Sequence, residues 1–398
     1  MSWFNKLFKG DKVIWMVVAL LSLISLLAFY SSSERVAHMR YEGDTTRALV
    51  SHAVTLVIGL VAVYVVYLGN YKFYSKIFSI ALWMVLPLLM ITTFAGENIN
   101  GASRVVDIFG VSFQTSDLAK VTLIGYLARA LTLRQDKEVD LKEAAIAYFL
   151  PITLTVGLIF TENLSTAVIL FSVCFYLIYV GKVRPKFLAM FVGVLVVCLG
   201  FYMLIKSFDD DSGRTMTWWA RIESFFGDEP GMDGTKEEKI KAMNNSQDIQ
   251  SKLAVASGGI FGKLPGKSTQ RNFLQHPYSD FIFSIIVEEY GLVGAVAVMI
   301  LYLILLYRAG LIIHAKPGSF AGYVSFGLAS LIVMQAFVHI GVATSVIPIT
   351  GQPLPFISKG GSSILFTGIA FGIILSVSKE LEKNKERKNE LAQNQDNN

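Results

Sequence analysis

Long apolar stretches recur along the whole chain and constrain its fold more than any other feature. A helix needs about 20 apolar residues to cross the hydrocarbon core of a bilayer. Backbone polar groups in lipid must be satisfied within the protein, so each stretch is expected to be a helix. Hydrophobic residues make up 53% of the 398 residues, above the share of an ordinary soluble domain. Such stretches occur at 13–30, 49–69, 75–95, 117–133, 143–160, 164–181, 187–206, 281–307, 319–345 and 361–378.

The sequence therefore predicts an all-α integral membrane protein with ten transmembrane helices. Residues 1–380 are expected to form one polytopic membrane domain, in which a large loop, 207–280, connects the seventh and eighth helices. The last segment, 381–398, is charged and then rich in Asn and Gln, and is expected to be a disordered cytoplasmic tail. The first apolar stretch is too long for a signal peptide, so we interpret it as a retained helix.

The distribution of charge predicts the orientation. Lys and Arg accumulate in short cytoplasmic loops, whereas long loops do not count in this rule. With both termini in the cytoplasm, the inner segments carry many basic residues and the short outer loops carry few. We therefore expect a multi-pass protein of the bacterial inner membrane whose loop 207–280 is extracytoplasmic.

Several classes of function are not expected from the sequence. Basic inner loops beside anionic lipid account for the net charge of +5, so no nucleic-acid partner is expected. The chain has no Walker sequence, Rossmann glycine pattern or internal repeat, which argues against ATP-driven transport by this chain alone. The two cysteines, Cys174 and Cys198, lie in apolar stretches and are interpreted as small core residues.

The outer connection 96–120 contains two cations that need an explanation. Ser116 and Asp117 predict a helix N-cap and a first-turn acid. Arg104 lies in an otherwise apolar outer turn. Lys120 lies about one turn inside a membrane helix, where a cation must be paired or face a wet cavity. Either cation could hold a lipid-linked phosphate.

Two further outer segments are rich in glycine. In the first, glycines alternate with Lys263, Lys267 and Arg271; the glycines either only make turns or let the backbone approach an anion such as phosphate. The second, 346–363, reads "VIPITGQPLPFISKGGSS" and lies between two apolar helices. Non-helical backbone at membrane depth survives only inside protein or along a cavity, so we predict a re-entrant loop between the ninth and tenth helices.

Asp280 stands at the junction between the large loop and the eighth helix. It could cap the helix that begins at Phe281, or it could act chemically. Glu288 and Glu289 follow about two turns further in. Adjacent helical positions point about 100° apart, so at least one of these two is expected to make helix–helix hydrogen bonds.

Four stretches together resemble the SEDS family of shape, elongation, division and sporulation proteins, which polymerise peptidoglycan outside the bacterial inner membrane. They are "GASRVVDIFGVSFQTSDLAK", "GGIFGKLPGKSTQ", "HPYSDFIFSIIVEEYG" and "PITGQPLPFISKGGSS", in the family's order and on one predicted side of the membrane. The second and fourth look more like the division-specific branch, FtsW, than the elongation branch, RodA.

The resemblance implies a ten-helix bundle that transfers glycosyl groups with lipid II, an undecaprenyl-pyrophosphate-linked disaccharide-pentapeptide, as donor and acceptor. The family's essential aspartate falls on Asp280, which would be the general base for an inverting transfer. The family also implies a divalent cation, Mg²⁺ or Mn²⁺, a class B penicillin-binding protein as transpeptidase partner, and other division-complex membrane proteins. The substrate-binding candidates on its motifs are Arg104, Lys120, Lys263, Gln270, Ser279, Lys359, Ser362 and Ser363.

The chain departs from the family pattern at four places, one of which is Val105, where a tryptophan often follows the first-loop arginine. Asn163 occupies the position of a second aspartate, which puts a catalytic duty there in doubt. Lys359 replaces a tyrosine and could bind pyrophosphate or a lipid headgroup. His339 replaces an asparagine, and a buried hydrogen bond is expected there. A lipid-linked sugar flippase and a membrane scaffold for a transpeptidase stay open as alternative functions.

Overall fold

The structure, a computed structural model, describes most of the chain at the level of its backbone. The described residues are 8–34, 37, 42–95, 97–99, 102–108, 111–135, 138–194, 247–274 and 277–396. Side chains of 94–113 are not among the described features. Much of the predicted loop 207–280 therefore lies outside the described residues.

Helices occupy the described parts of the predicted apolar stretches. Within the described residues, seven helices are long and apolar enough to cross a membrane, and the apolar helices α6 and α7 are shorter. The α4 helix is less apolar because it carries Asp117, Lys120 and Arg129. The helices are α1 Lys12–Ser32, α2 Thr45–Leu68, α3 Tyr71–Ala95, α4 Thr115–Thr132, α5 Leu141–Glu162, α6 Leu164–Val180, α7 Pro185–Val194, α8 Gln247–Gly258, α9 Ile282–Ala315, α10 Phe320–Ala343 and α11 Gly361–Asp396.

The connection between α3 and α4 differs from the all-helical expectation, because its described residues form a small antiparallel sheet. Its strands are β1 Glu97–Ile99, β2 Ala102–Ile108 and β3 Val111–Gln114, in the order β1-β2-β3. Ile108 pairs with Val111 across a two-residue connection. Several residues of this connection are β-branched or aromatic, which favours strands, and two-residue connections are the commonest hairpins. The sheet leads directly into α4.

The C-terminal segment also differs from its prediction. Residues 381–396, expected to be disordered, continue α11 as a helix through Asp396. This stretch contains neither Gly nor Pro and consists mainly of good helix formers. Because it extends a helix that is already formed, it does not bear the cost of nucleating a new one.

The α10 helix is the centre of the bundle and packs against α4, α6, α9 and α11. Most of its side chains are buried, whereas α2 exposes much of its surface. The α2 and α11 helices approach each other closely through small residues. A Cβ atom added at Gly368 would lie 2.7 Å from the Gly59 carbonyl oxygen, so only glycine permits this contact.

The α9 helix is interrupted at Gly291, whose φ of 66° is in the left-handed region. The interruption leaves backbone groups that need new partners. The carbonyls of Glu288 and Glu289 accept from Lys263 N at 2.9 Å and Leu264 N at 3.0 Å. Leu292 N and Val293 N donate to carbonyls of the preceding loop, so loop 259–264 completes the hydrogen bonding of the broken helix.

Substitution of Gly368 tests the close packing of α2 against α11. We expect Gly368→Leu to lower the free energy of unfolding by about 1–3 kcal/mol, because the added side chain overpacks the interface. Gly157→Leu is the matched control, since a Cβ atom at this helical glycine meets nothing within 4 Å. Unfolding of both variants in mixed micelles measures the difference. Equal stability of the two variants would contradict this packing.

Candidate functional site

The Asp280 carboxylate is not a helix cap. Helix α9 begins at Ile282, its N-cap residue is Phe281, and no side chain caps it. Asp280 is partly exposed, and Ser279 Oγ donates to its Oδ1 at 2.9 Å. Among the residues that the structure describes, this hydroxyl is its one hydrogen-bond donor. The capping interpretation is therefore wrong, and the carboxylate is available for chemistry.

The backbone before Asp280 is attached to segment 346–360, which connects α10 and α11. Ser358 Oγ donates to the Ser279 carbonyl at 2.7 Å, and Lys359 N donates to the Tyr278 carbonyl at 3.0 Å. Gly351 of the same segment lies beside the carboxylate: a Cβ atom there would be 3.8 Å from Asp280 Oδ2. Segment 346–360 therefore determines where this carboxylate lies.

Segment 346–360 is non-helical, its stretch 352–358 is largely buried, and side chains of the surrounding helices satisfy four of the carbonyls of this stretch. Buried carbonyl groups without partners would be costly at membrane depth. The bonds run from His339 Nδ1 to Gln352 O at 2.7 Å, from Gln335 Nε2 to Pro353 O at 3.2 Å, from Tyr302 OH to Pro355 O at 2.6 Å, and from Ser25 Oγ to Ile357 O at 2.8 Å.

Lys120 lies in a second polar cluster, on α4. Its Nζ is 2.8 Å from Asp117 Oδ1, and both side chains are 7% exposed. It also donates to Gln335 Oε1 at 3.4 Å, while Ser362 Oγ donates to Asp117 Oδ2 at 3.1 Å. Ser363 lines the adjoining cavity of about 20 Å³, room for about one water. The buried Lys120 ammonium is thus paired with the Asp117 carboxylate, as expected for a cation inside a membrane helix.

The predicted N-cap at the start of α4 is wrong. The helix begins at Thr115, directly after β3, and its N-cap residue is Gln114. Ser116 and Asp117 consequently lie inside the first turn and are buried. Asp117 keeps its favourable first-turn place, but its carboxylate binds Lys120 and Ser362 instead of backbone amides.

Two glutamines hold segment 346–360 in place: Gln335 connects it with the Lys120 cluster, and Gln352 connects it with α6 and α10. Gln335 contacts both Lys120 and the Pro353 carbonyl. Gln352 accepts from His339 through its backbone and donates through its side chain to Thr166 Oγ1 at 2.9 Å. Neither glutamine was predicted from the sequence, although a glutamine within an apolar helix such as α10 indicates an interhelical hydrogen bond.

Lys263 and Gln270 lie in a third cluster, around Glu288. Lys263 Nζ is 2.8 Å from Glu288 Oε1, which also accepts from Thr269 N at 3.0 Å. The Gln270 backbone N–H donates to Glu288 Oε2 at 3.3 Å. The Glu288 side chain is fully buried. These contacts support the structural interpretation of the glycine-rich loop over the anion-binding one.

Glu289 holds the same loop from the neighbouring helical position. It accepts from Ser31 Oγ and from Ser268 N. Arg271 forms an ion pair with Glu34 at 2.9 Å and donates to the Ser31 carbonyl. Ser31 belongs to α1, so Glu289 makes the helix–helix hydrogen bond expected of at least one of the two glutamates. Both glutamates also bind the loop that precedes Asp280.

Lys359 lies next to residues 278–280, since its backbone N–H donates to the Tyr278 carbonyl. Its Nζ is 5.1 Å from the centre of the Phe29 ring and 5.9 Å from that of Tyr278. Both distances are in the range of cation–π contacts. Arg104 lies on β2, and its side chain lies outside the described features.

Asn163 has a structural role. Its side chain accepts from Thr166 N at 3.3 Å and caps α6, while Glu162 next to it accepts from Thr93 Oγ1 at 2.7 Å. The amide that replaces the family's second aspartate thus acts as the N-cap of α6.

Comparison with known proteins places this arrangement in a family. Residues 11–383 match the model of the FtsW/RodA/SpoVE family, described as cell cycle proteins. The chain belongs to this family. It is 28% identical to the "probable peptidoglycan glycosyltransferase FtsW" of Geobacter metallireducens, over 94% of this chain and 95% of that protein. It is 30% identical to the protein of the same name from Coxiella burnetii, over 92% and 96%.

Two solved structures share the fold of this FtsW/RodA/SpoVE member. The rod shape determining protein RodA of Thermus thermophilus gives a TM-score of 0.66 at 23% identity, covering 93% of this chain and 97% of that one. A chain described under "Structural coordination of polymerization and crosslinking by a peptidoglycan synthase complex" gives 0.69 at 22% identity, covering 93% and 98%.

The Lys120–Asp117 pair gives a stability prediction. We expect Lys120→Met to lower the free energy of unfolding by about 3–5 kcal/mol, because it leaves a buried carboxylate without its cation. Lys252→Met is the control: Lys252 pairs with Asp248 at 2.6 Å, but these side chains are 56% and 30% exposed. Its loss should stay below about 1 kcal/mol. Equal losses in micelle unfolding experiments would refute the buried pairing.

Proposed function

We propose that this chain is a peptidoglycan glycosyltransferase that polymerises lipid II into β-1,4-linked glycan strands during cell division, with Asp280 as general base. The relatives named FtsW are peptidoglycan glycosyltransferases by their names, and they match nearly the whole chain. The observation that carries the assignment of Asp280 is its partly exposed carboxylate, which adjoins α9 but makes no capping bond.

The proposed reaction needs one base. Asp280 takes the proton from the acceptor sugar's 4-hydroxyl as the hydroxyl oxygen attacks the anomeric carbon of the donor. A carbon–oxygen bond to the acceptor forms, and the bond to the α-linked pyrophosphate breaks, so the configuration inverts. Glycoside hydrolysis commonly divides acid and base duties between two carboxylates. Pyrophosphate is already a good leaving group, which makes a second carboxylate unnecessary.

Cations beside the departing pyrophosphate would stabilise the developing charge. Lys359 is suited to this role because it follows Ser358, whose hydroxyl donates to the carbonyl of Ser279, the residue before Asp280. Lys120, with Ser362 and Ser363, is a second candidate, and Arg104 a third. Lys263 and Gln270 contact Glu288, which supports a role in positioning the loop rather than in binding substrate.

A divalent cation, Mg²⁺ or Mn²⁺, is part of this proposal. Within the described residues, no group of three His, Cys, Asp or Glu side chains could hold a metal ion. Magnesium is often bound by one or two carboxylates together with substrate phosphates. Asp280 would supply the carboxylate of such a site, and lipid II would supply the phosphates. The bound ion would neutralise charge on the leaving group.

The membrane arrangement of the proposal follows from the charge pattern. Ten helices cross the inner membrane, both termini are cytoplasmic, and the loop between the seventh and eighth helices is extracytoplasmic, as is the re-entrant segment that follows the ninth. Asp280 then lies at the outer leaflet, where the polyprenyl tail of lipid II can lie between helices.

The proposed partner is a class B penicillin-binding protein that cross-links the new strands, together with other division-complex membrane proteins. A structural neighbour comes from a peptidoglycan synthase complex in which polymerization and crosslinking are coordinated. The loop 207–280 contains no Ser-x-x-Lys sequence, so a partner is needed for transpeptidation. Loss of septation on depletion would support the division branch, and loss of rod shape alone would overturn it.

Polymerisation of lipid II by the purified protein with its transpeptidase partner tests the function. We expect glycan from the wild type and a loss of at least about 100-fold in Asp280→Asn, because the amide cannot accept the proton. Asp248→Asn is the matched control, since Asp248 pairs with exposed Lys252 and accepts from Ser345 Oγ but makes no bond to Asp280.

Two outcomes would contradict the proposal. Equal polymer from the wild type and Asp280→Asn would remove Asp280 from the chemistry. No polymer from the wild type, with lipid II crossing vesicle bilayers, would favour the flippase. Matched thermal unfolding and matched complex formation exclude misfolding as the cause of a loss.

A further inference from the structure

Loop 259–264, which follows α8, exposes three large apolar side chains. Ile260 is 62% exposed, Phe261 80% and Leu264 58%. Apolar residues exposed one at a time are common on protein surfaces, whereas a contiguous apolar patch indicates contact with another molecule or with a membrane. The proposed mechanism gives no role to these three residues.

The backbone of this loop is fixed because it is hydrogen bonded to the broken part of α9. Leu264 N donates to the Glu289 carbonyl at 3.0 Å, and Val293 N donates to the Ile260 carbonyl at 3.2 Å. Leu264 has a φ of 80°, a left-handed conformation that leucine rarely adopts. Its side chain is therefore exposed by a backbone that α9 holds in place, and not by a loose loop.

Two glycines bring the loop into direct contact with α9. A Cβ atom at Gly262 would overlap the Glu289 carbonyl oxygen, and one at Gly291 would overlap the Ile260 carbonyl oxygen. Only glycine permits such a close approach of two backbones. The loop and the break in α9 thus form one packed unit, and the apolar patch has a definite position along this helix.

The surface of α9 changes character at the same place. Residues 282–289, before the break, are buried inside the protein. After the break, one face of the helix is apolar and exposed, and no charged residue occurs between Gly291 and Arg308. This face is suited to contact with lipid. Its exposed residues include Leu292, Val293, Val296, Ile300, Leu303 and Tyr307.

Helix geometry places the patch at the boundary of the hydrocarbon. Ala315, the last residue of α9, lies 24 residues after Gly291, a distance of about 36 Å at about 1.5 Å per residue. The hydrocarbon core of a bilayer is about 30 Å thick. The part of α9 after its break can therefore cross the membrane alone, with Gly291 near one surface. Loop 259–264 is bonded to this break and lies at the same depth.

A basic residue follows the patch. Lys267 is exposed, and its backbone N–H donates to the Leu264 carbonyl at 3.2 Å. A lysine beside an apolar surface can place its ammonium among phosphate headgroups while its methylene groups stay in the apolar region. Apolar side chains next to an exposed cation match the boundary between acyl chains and lipid phosphates.

We propose that Ile260, Phe261 and Leu264 insert among the acyl chains of the outer leaflet, with the Lys267 ammonium at the level of the lipid phosphates. The ligand of this surface is the phospholipid bilayer itself. The inference goes beyond the proposed function and uses only its membrane arrangement. Because the same loop is bonded to α9 and leads along the chain to Asp280, the anchor fixes the height of the Asp280 carboxylate above the bilayer.

The first test measures the depth of Phe261 with a nitroxide label, in the full-length protein in phospholipid vesicles. Phe261→Cys carries the label in a chain with Cys174→Ala and Cys198→Ala. Oxygen concentrates in hydrocarbon and a nickel chelate stays in water, so the ratio of their collision rates with the label reports its depth. We expect this ratio to lie below that of a label at Ile300→Cys, inside the membrane, and well above that of a label at Leu253→Cys, on α8.

Leu253 is the matched control because it is also an exposed apolar residue. It adjoins Lys252, whose ion pair with Asp248 is largely exposed and belongs in water. A Phe261 label as accessible to the nickel chelate as the Leu253 label would overturn the inference. A Phe261 label inaccessible to both reagents would also overturn it, because protein and not lipid would then cover the patch.

The same measurement in the complex with the transpeptidase partner distinguishes lipid from a partner helix. We expect the oxygen collisions of the Phe261 label to stay as they are in the protein alone. Their loss on complex formation would assign this surface to a helix of the partner and would overturn its assignment to lipid.

The second test asks whether the anchor matters for polymerisation, and it rests on the proposed function. We expect Phe261→Asp to lower kcat/KM for lipid II at least about 10-fold in vesicles, because a carboxylate is unfavourable in hydrocarbon. Detergent micelles rearrange around a polar side chain, so the variant should have the wild-type kcat/KM in micelles. Phe261→Leu should match the wild type in both media, and Leu253→Asp should match it in vesicles. Equal activities of the wild type and Phe261→Asp in vesicles, or the same loss in micelles, would refute the anchoring role.

The outcomes separate the two proposals. If Asp280→Asn polymerises lipid II normally, the proposed base is wrong, but the depth of Phe261 is unaffected. If Asp280→Asn is inactive and the Phe261 label lies in water, the base stands and the membrane anchor is refuted.

Discussion

Four hydrogen bonds from helix side chains to the carbonyls of segment 346–360 are the interactions on which the site depends. Irregular backbone inside a membrane protein survives only if other groups satisfy it. Here the donors come from three different helices, and include Ser25 of α1, Tyr302 of α9 and His339 of α10. The segment in turn holds the residues before Asp280. The bundle thus positions a carboxylate through backbone contacts rather than through direct contacts to the carboxylate.

The second constraint is the break in α9 at Gly291. It frees carbonyls that bind the loop after α8, and Glu288 and Glu289 fasten the same loop with their side chains. This loop leads into the segment that ends at Asp280. A buried glutamate in this position acts as an anchor for polar backbone, which explains its presence without any catalytic duty.

Periodicity and hydropathy predicted the helices, because their backbone bonds are local. The chemical duties of individual residues were harder to predict, since they depend on long-range contacts. Whether Asp280 caps α9 is decided by the conformation of Phe281, and whether Lys263 is free is decided by Glu288. The sheet at 97–114 was missed because its strands lie in a connection between two apolar stretches, where no helix-length hydropathy signal indicates the structure. Lys120 was the exception: its burial alone required a partner, and Asp117 supplies it.

The measurement that tests the central claim most directly is an experimental structure of the complex with its transpeptidase partner and lipid II bound at donor and acceptor positions. The account predicts that an Asp280 carboxylate oxygen lies within about 3.2 Å of the acceptor 4-hydroxyl, or one water away from it. A different carboxylate or a histidine at that hydroxyl, with Asp280 turned away from the sugar, would contradict it.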